Sequence, residues 1–225
     1  KLTYTSSPFK FTGFADVSHL QFQSYSHRFK YRPDLQNQLK QDNTRFKFGM
    51  THALSAATFY TLNLSRVEQK ANVFVPGVPS ASISVPNLDS EQQFVIGGFD
   101  LQNRSSSIMY AVNADYSYQY GPHNLFKLGL EGKLYTLTYD GVRPLSRAND
   151  LVVERASTNF SQKPIEFAAY GQDKIELDFL VANIGVRLDA LNVKTRSLKD
   201  IRDLNSGLVV TKQKIQIRKL TYSSH

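Results

Sequence analysis

The histidines and carboxylates of this chain are the residues that could do acid–base or metal chemistry. The five histidines, at positions 19, 27, 52, 123 and 225, lack the close spacing that a metal site built from neighbouring ligands requires. Cysteine is absent, and so are the GxSxG, P-loop, GxGxxG and HExxH patterns. No Asp and His pair with a nucleophile at a recognisable spacing. The sequence therefore predicts a protein that is not an enzyme, with no metal site and no cofactor.

A larger set of polar residues alternates with apolar ones, as residues 44–54, TRFKFGMTHAL, illustrate. Phe46 and Phe48 share one face of this segment, and Arg45 and Lys47 share the other. Period two with β-branched and aromatic residues predicts strands. The same reading applies to the segments 14–31, 58–68, 107–120, 125–139, 165–177, 179–191 and 207–222. We therefore expect about eight strands, all joined as antiparallel neighbours.

The connections between these strands alternate in length. "SAA", "GPHN" and "LDF" are tight, whereas residues 32–43, 71–107, 140–164 and 192–206 are predicted to be long irregular loops because they are rich in polar, Pro, Gly and Ser residues. All tight turns then lie at one end of the sheet, as in outer-membrane barrels. The alternating runs also exceed the usual strand of about 5–6 residues and suit the roughly 9–11 residues that cross a bilayer. The predicted fold class is all-β, an antiparallel up-and-down transmembrane β-barrel.

The composition limits the other classes of function. No apolar run approaches the roughly 18 residues of a membrane helix, a test that a strand-built membrane protein escapes. The net charge of +8 is scattered along the chain without a run of five or six cations, so a nucleic-acid partner is not expected. Solvated loops and a polar channel wall explain the charge as well.

One stretch resembles a known family. YGQDKIELDFLVANIGVRLD, from Tyr170 to Asp189, is similar to a hairpin of TonB-dependent outer-membrane receptors, including the Asn, Gly, Arg and Asp of its second strand. HNLFKLGLE (residues 123–131) and TFYTLNLSR (residues 58–66) resemble two further strands of these receptors in the same order. The resemblance is clearest over 44–192 and points to members with a carboxypeptidase-regulatory-like domain.

The resemblance implies a barrel of about 22 strands, a plug domain and a TonB-binding motif. The chain, residues 1–225, is then an internal segment of the barrel wall without the plug. It would belong to a bacterial outer-membrane receptor that imports a bulky, unknown nutrient. Its implied partners are the outer-membrane lipid, TonB and the receptor's own plug domain. Two alternatives stay open: a soluble or secreted antiparallel β protein that binds through its loops, and a complete eight-stranded barrel, which could be enzymatic.

The polar positions of the alternating segments are the candidate site residues, because they would face the lumen of a barrel. They are Arg45, Lys47, Asn63, Asn113, Asp115, Gln119, Lys127, Glu131, Lys133, Gln172, Lys174, Asn183, Arg187 and Asp189. Residues 168–189 are interpreted as a hairpin whose charges sort by parity. Asp173 is the exception on the lipid side, and this predicts that the tight turn lies at the membrane surface.

Overall fold

The structure is a computed structural model that describes residues 1–78, 84–91, 93–99, 102–147, 150–193, 196–200, 203–210 and 214–221. Within these ranges the chain forms fourteen strands and two single 3-10 turns. The strands are β1 (Leu2–Ser6), β2 (Phe9–Phe22), β3 (Gln38–Ser55), β4 (Thr58–Phe74), β5 (Ser84–Leu88), β6 (Val95–Phe99), β7 (Gln102–Tyr120), β8 (Asn124–Arg147), β9 (Asp150–Gln162), β10 (Ile165–Leu177), β11 (Leu180–Asn192), β12 (Arg196–Asp200), β13 (Asp203–Val210) and β14 (Lys214–Thr221). The turns are η1 (His27–Phe29) and η2 (Pro33–Leu35). In the described part of the chain, no helix has the length and hydropathy needed to cross a membrane.

Ten strands form one antiparallel sheet in the order β1-β2-β3-β4-β7-β8-β10-β11-β14, with β9 paired to β8 beside this path. The prediction of an all-β, antiparallel up-and-down sheet is confirmed. The eight predicted strands correspond to β2, β3, β4, β7, β8, β10, β11 and β14, and they are neighbours in the predicted order. No ladder between described residues joins the two ends of this path, so the sheet is open.

The turns at one end of the sheet are tight. Two residues separate β1 from β2, β3 from β4, and β10 from β11, and three separate β7 from β8. Gly121 opens the last of these turns with a φ of +67°, a conformation that suits glycine because it has no side chain. At the other end, the connections from β2 to β3 and from β4 to β7 are longer, but only two residues separate β8 from β9, so the predicted asymmetry is present only in part.

Much of the chain that was predicted to be irregular is strand. The stretch 140–164 instead continues β8 and forms β9, which pair from Leu137–Gln162 to Arg147–Asp150. The stretches 71–107 and 192–206 contain the hairpins β5–β6 and β12–β13, and β3 begins at Gln38 inside the predicted loop 32–43. Ser, Thr and Arg occur in strands as well as in loops, so polarity alone did not distinguish these strands from loops. The predicted strand 14–31 is also wrong at its end, because β2 stops at Phe22.

Alternation gives the sheet two faces of opposite character. Phe48, Leu64 and Val112 are direct neighbours across β3, β4 and β7. We call the face that carries them the apolar face, and the opposite one the polar face. Large side chains of the apolar face stay open: Leu130 is 54% exposed and Ile184 is 62% exposed. No described part of the chain covers this face.

The buried hydrophobic side chains of the described chain lie elsewhere. They are Leu35, Val75, Val95, Ala111 and Ala168. The two alanines are on the polar face, beneath longer neighbours. Leu35, Val75 and Val95 lie beyond the sheet, where the β2–β3 connection meets the segment between β4 and β7. We call this cluster the cap.

Aromatic and polar contacts hold the cap together. The ring of Phe94 packs edge-on against His27 and Tyr31, with centroids 5.4 and 5.1 Å apart. Arg32 donates two hydrogen bonds to Asp34, of 3.0 and 2.7 Å, and a third of 3.2 Å to the carbonyl oxygen of Ile96. The bonds from Arg32 hold the pKa of the Asp34 carboxyl below its usual value. These contacts order two long connections against each other.

Val95→Ala is expected to loosen the cap without unfolding the sheet. Val95 is fully buried, so truncation leaves a small cavity that costs about 1–3 kcal/mol. Amide hydrogen exchange should accelerate over residues 23–37 and 94–99 and stay unchanged over β10 and β11. Ile96→Ala is the matched control, because Ile96 is 48% exposed. Equal effects of the two substitutions would contradict a packed cap.

Candidate functional site on the polar face of the sheet

The fourteen candidate residues all lie on the polar face. The ladders make Asn63, Asn113, Glu131, Ala168 and Asp189 successive neighbours across β4, β7, β8, β10 and β11. The ladders that join β4, β7, β8, β10 and β11 show no register shift. Side chains two residues apart on each of these strands therefore share that face. Whether this face lines a lumen is a separate matter and stays a prediction at this point.

Five charged residues of the polar face form one network, which we call the Glu131 cluster. Its members are Glu131, Lys133, Glu166, Arg187 and Asp189. Glu131 accepts hydrogen bonds from Arg187 Nη2 at 2.9 Å and from Lys133 Nζ at 2.6 Å. Arg187 Nε also binds Asp189 at 2.9 Å, and Lys133 lies 3.3 Å from Glu166. Three carboxylates and two cations thus neutralise most of their charge across β8, β10 and β11.

Tyr135 extends this cluster by donating a hydrogen bond of 3.1 Å from its hydroxyl to Glu166 Oε2. The parity of β10 indicates that Glu166 faces the same way as its neighbours, but no sequence signal pairs it with Lys133 or Tyr135. Both contacts depend on which residues of β8 and β10 stand opposite each other. Sequence reasoning therefore missed Tyr135.

Tyr170 makes a contact across an entire strand. It stands opposite Gly129 of β8, which in turn stands opposite Asp115 of β7. Its hydroxyl donates a 2.6 Å hydrogen bond to Asp115 Oδ1. A Cβ at position 129 would lie 2.1 Å from Tyr170 Cε1, so the ring lies directly over the glycine. Glycine is required here because the ring approaches the backbone closely.

Other candidates stay outside these two contacts. Arg45 pairs with Asp16 at 3.3 Å, and Lys174 pairs with Glu176. Lys47 and Lys127 form no ion pair with any residue that the structure describes. The polar face thus carries the neutralised Glu131 cluster and, apart from it, the cations Lys47 on β3 and Lys127 on β8.

Asp173 lies on the apolar face, as parity predicts, opposite Phe126 and Ile184. Asn124 Nδ2 donates a 3.0 Å hydrogen bond to its Oδ2. Ile175 and Leu177 follow it toward the tight turn. Apolar residues therefore continue beyond Asp173, and its position does not mark where the apolar face ends. That the turn lies at a membrane surface stays a prediction.

The chemistry open to the polar face is binding and charge compensation. The Glu131 cluster has no nucleophile beside a base. In the described ranges, no group of three or more His, Asp and Glu residues could hold a metal ion. The contacts of the Glu131 cluster instead hold β8, β10 and β11 together through pairs of opposite charges.

Arg187→Met is expected to destabilise the sheet by about 1–2 kcal/mol. The change removes the hydrogen bonds to Glu131 and Asp189 and leaves Asp189 without its cation, while about 29% exposure of Arg187 limits the penalty. Lys127→Met is the matched control: it removes an unpaired cation of the same face and should change stability by less than about 0.5 kcal/mol. Denaturant midpoints measure both. Equal shifts would mean that the network contributes nothing.

Comparison of this chain with models of protein families, with curated proteins and with solved structures finds no match.

Proposed function

We propose that this chain is part of the barrel wall of a TonB-dependent receptor in a bacterial outer membrane. The observation that carries the proposal is the uncovered apolar face of a sheet of long strands. A soluble protein rarely exposes a contiguous apolar patch larger than a few hundred Å². Here exposed Leu, Ile, Val and Phe side chains extend across seven strands, from β2 to β11. Lipid is the partner that fits such a face.

The dimensions of the apolar face support the same proposal. On β7 the apolar positions run from Ile108 to Tyr118, which is eleven residues and matches the length that crosses a bilayer when tilted. Tyr116, Tyr118 and Tyr120 lie at the tight-turn end of this strand and are 38, 38 and 69% exposed. Tyrosine suits a membrane interface because its ring is apolar and its hydroxyl stays hydrated. They would form part of an aromatic girdle.

The open edges of the sheet favour a wall segment over a finished barrel. In β2, the residues from Phe14 to Phe22 pair only with β3 among the described strands. A strand edge in lipid must find partners for its N–H and C=O groups. Further strands would therefore be needed beside β2, as in the larger barrel that the sequence resemblance implies.

In this proposal the polar face lines the lumen. The Glu131 cluster would contribute a neutralised patch toward the plug domain, and Lys47 and Lys127 would stay available to the plug or the nutrient. Import would use energy delivered by TonB, and the chain itself would carry no catalytic step. These assignments rest on the resemblance of residues 44–192 to the receptor family.

The absence of cysteine allows a direct test, because single cysteines can be introduced without background. Cysteine at Leu130 would face lipid, whereas cysteine at Asn113 would face the lumen. In membranes, a charged maleimide should label position 113 and leave position 130 unreacted until detergent is added. Tyr25→Cys, in the β2–β3 connection, is the control for a site that reacts throughout.

Two results would contradict the proposal. Rapid labelling at position 130 in a protein that stays folded in buffer without lipid would identify a soluble β protein. Closure of this chain alone into a detergent-stable barrel would identify the small eight-stranded alternative.

A further inference from the structure

Past the apolar residues of the apolar face come Arg66, which pairs with Glu68, and then three further cations, Lys40, Lys70 and Arg104. Lys40, Asn72, Arg104 and Asp140 are direct neighbours across β3, β4, β7 and β8. Lys70 stands one row nearer the apolar residues, diagonal to both Lys40 and Arg104. Since neighbouring strands are about 4.8 Å apart, the Cα atoms of Lys40 and Arg104 are roughly 10 Å apart. The three side chains can therefore reach one phosphate group or two adjacent ones.

The row lies on the long-connection side of the sheet. Toward the tight turns, Asp42 and Thr44 separate Lys40 from Phe46, and Glu68 and Arg66 separate Lys70 from Leu64 on the same face. Toward the long connections, β3 begins at Gln38, only two residues before Lys40. A side chain at these positions would meet the headgroups of the leaflet on that side if the apolar residues meet the lipid tails.

Lys70 is more accessible than the acid that pairs with it. Lys70 is 62% exposed, whereas Glu68, its partner at 2.7 Å, is only 15% exposed and is also bound by Arg66. Lys40 and Arg104 are exposed and make no ion pair with another described residue. Two exposed acids share this face: Asp42, which binds His19 Nδ1 at 2.5 Å, and Asp140, which lies opposite Arg104. The charges available to a ligand are therefore those of Lys40 and Arg104, with Lys70 beside them.

A cavity of about 250 Å³ opens next to Arg104, so a group that binds these cations can extend below the surface. Asn72, Phe74, Gln102 and Asp140 contribute to its lining. The Asn72 amide beside the Arg104 guanidinium suits the hydroxyl and ester groups that accompany a phosphate in a lipid headgroup.

We infer that Lys40, Lys70 and Arg104 bind the phosphate of an anionic lipid headgroup in the leaflet at the long-connection side. The inference rests on the proposed membrane location. Attraction to lipid phosphate is short-ranged, so it requires cations at the height of the headgroups, where this row would stand. The bond formed is electrostatic and reversible, and it would order lipid along β3, β4 and β7.

The test uses the receptor barrel that contains this chain, in phosphatidylcholine vesicles with or without a minor fraction of phosphatidic acid. The readout is the affinity for spin-labelled phosphatidic acid, measured as the immobilised fraction of the label. Lys40→Gln combined with Arg104→Gln should lower this affinity about fivefold for each cation removed. The variant leaves Lys70 with Glu68, so folding is preserved. Lys47→Gln combined with Lys127→Gln is the matched control on the polar face and should bind as the unaltered chain does.

Three other outcomes of this experiment would each contradict one of the proposals. A receptor that contains this chain but does not insert into phosphatidylcholine contradicts the proposed function. A receptor that inserts but binds phosphatidic acid equally well in both variants contradicts the headgroup site alone. Equal competition by inorganic phosphate would show a site for free anions and overturn the assignment to lipid.

Discussion

Val112→Arg is expected to destabilise the membrane-inserted chain by about 2–4 kcal/mol. Val112 lies on the apolar face near the middle of the eleven-residue span 108–118 of β7, and it is 46% exposed. A guanidinium there would have to leave water for the centre of the hydrocarbon layer, and arginine is costly at that depth. Unfolding by urea in lipid vesicles measures the loss.

The control is the next residue along the strand. Asn113→Arg places the same side chain on the polar face, opposite Asn63 and Glu131. There the new charge stays hydrated and lies beside a carboxylate, so stability should change by less than about 0.5 kcal/mol. If the apolar face met water, both substitutions would be mild, because an exposed valine tolerates replacement. The difference between the two neighbours is thus the diagnostic quantity.

Gly129→Ala is expected to cost about 2–4 kcal/mol, although it adds one methyl group. The new Cβ would overlap Tyr170 Cε1 and force the ring off the strand. Overpacking contributes about 1–3 kcal/mol, and loss of the hydrogen bond to Asp115 contributes about 1 kcal/mol more. Gly132→Ala on the same strand is the control, because a Cβ there meets nothing within 4 Å. It should be neutral or slightly stabilising.

A double-mutant cycle separates the clash from general effects of alanine. Tyr170→Ala removes the ring, so adding Gly129→Ala to it should have little further effect. The coupling energy between positions 129 and 170 is therefore expected to be about 2–4 kcal/mol, the cost of Gly129→Ala alone. Additive effects would mean that the ring does not rest on the glycine in solution.

The strands that alternate cleanly were predictable from sequence. Alternation is a local property: each residue of a strand points opposite to its neighbour, whatever the rest of the chain does. For this reason Phe46 and Arg45 could be assigned to opposite faces, and the order of eight strands could be inferred. The hairpin of β10 and β11 was likewise predicted to within one residue, because its two segments have only Asp178 and Phe179 between them.

The polar strands were not predictable in the same way. β9 and the second half of β8 lie in a stretch with Arg, Ser, Thr and Asn at many positions. Such a composition is typical of loops. Their pairing from Leu137 to Arg147 depends on backbone hydrogen bonds that any of these residues can make. The alternation of apolar and polar residues that reveals a half-buried strand is missing from this stretch of sequence.

The amino-acid sequence by itself determined that this protein is all-β, which positions are strands with one apolar and one polar face, and on which face each candidate residue lies. The tertiary structure decided what those residues contact. Glu131 meets Arg187, Tyr170 reaches Asp115, and Lys40 aligns with Arg104 only because the strands pair in one register. A shift of one residue would reverse every face and separate every pair, and register is a property of two strands together rather than of either alone.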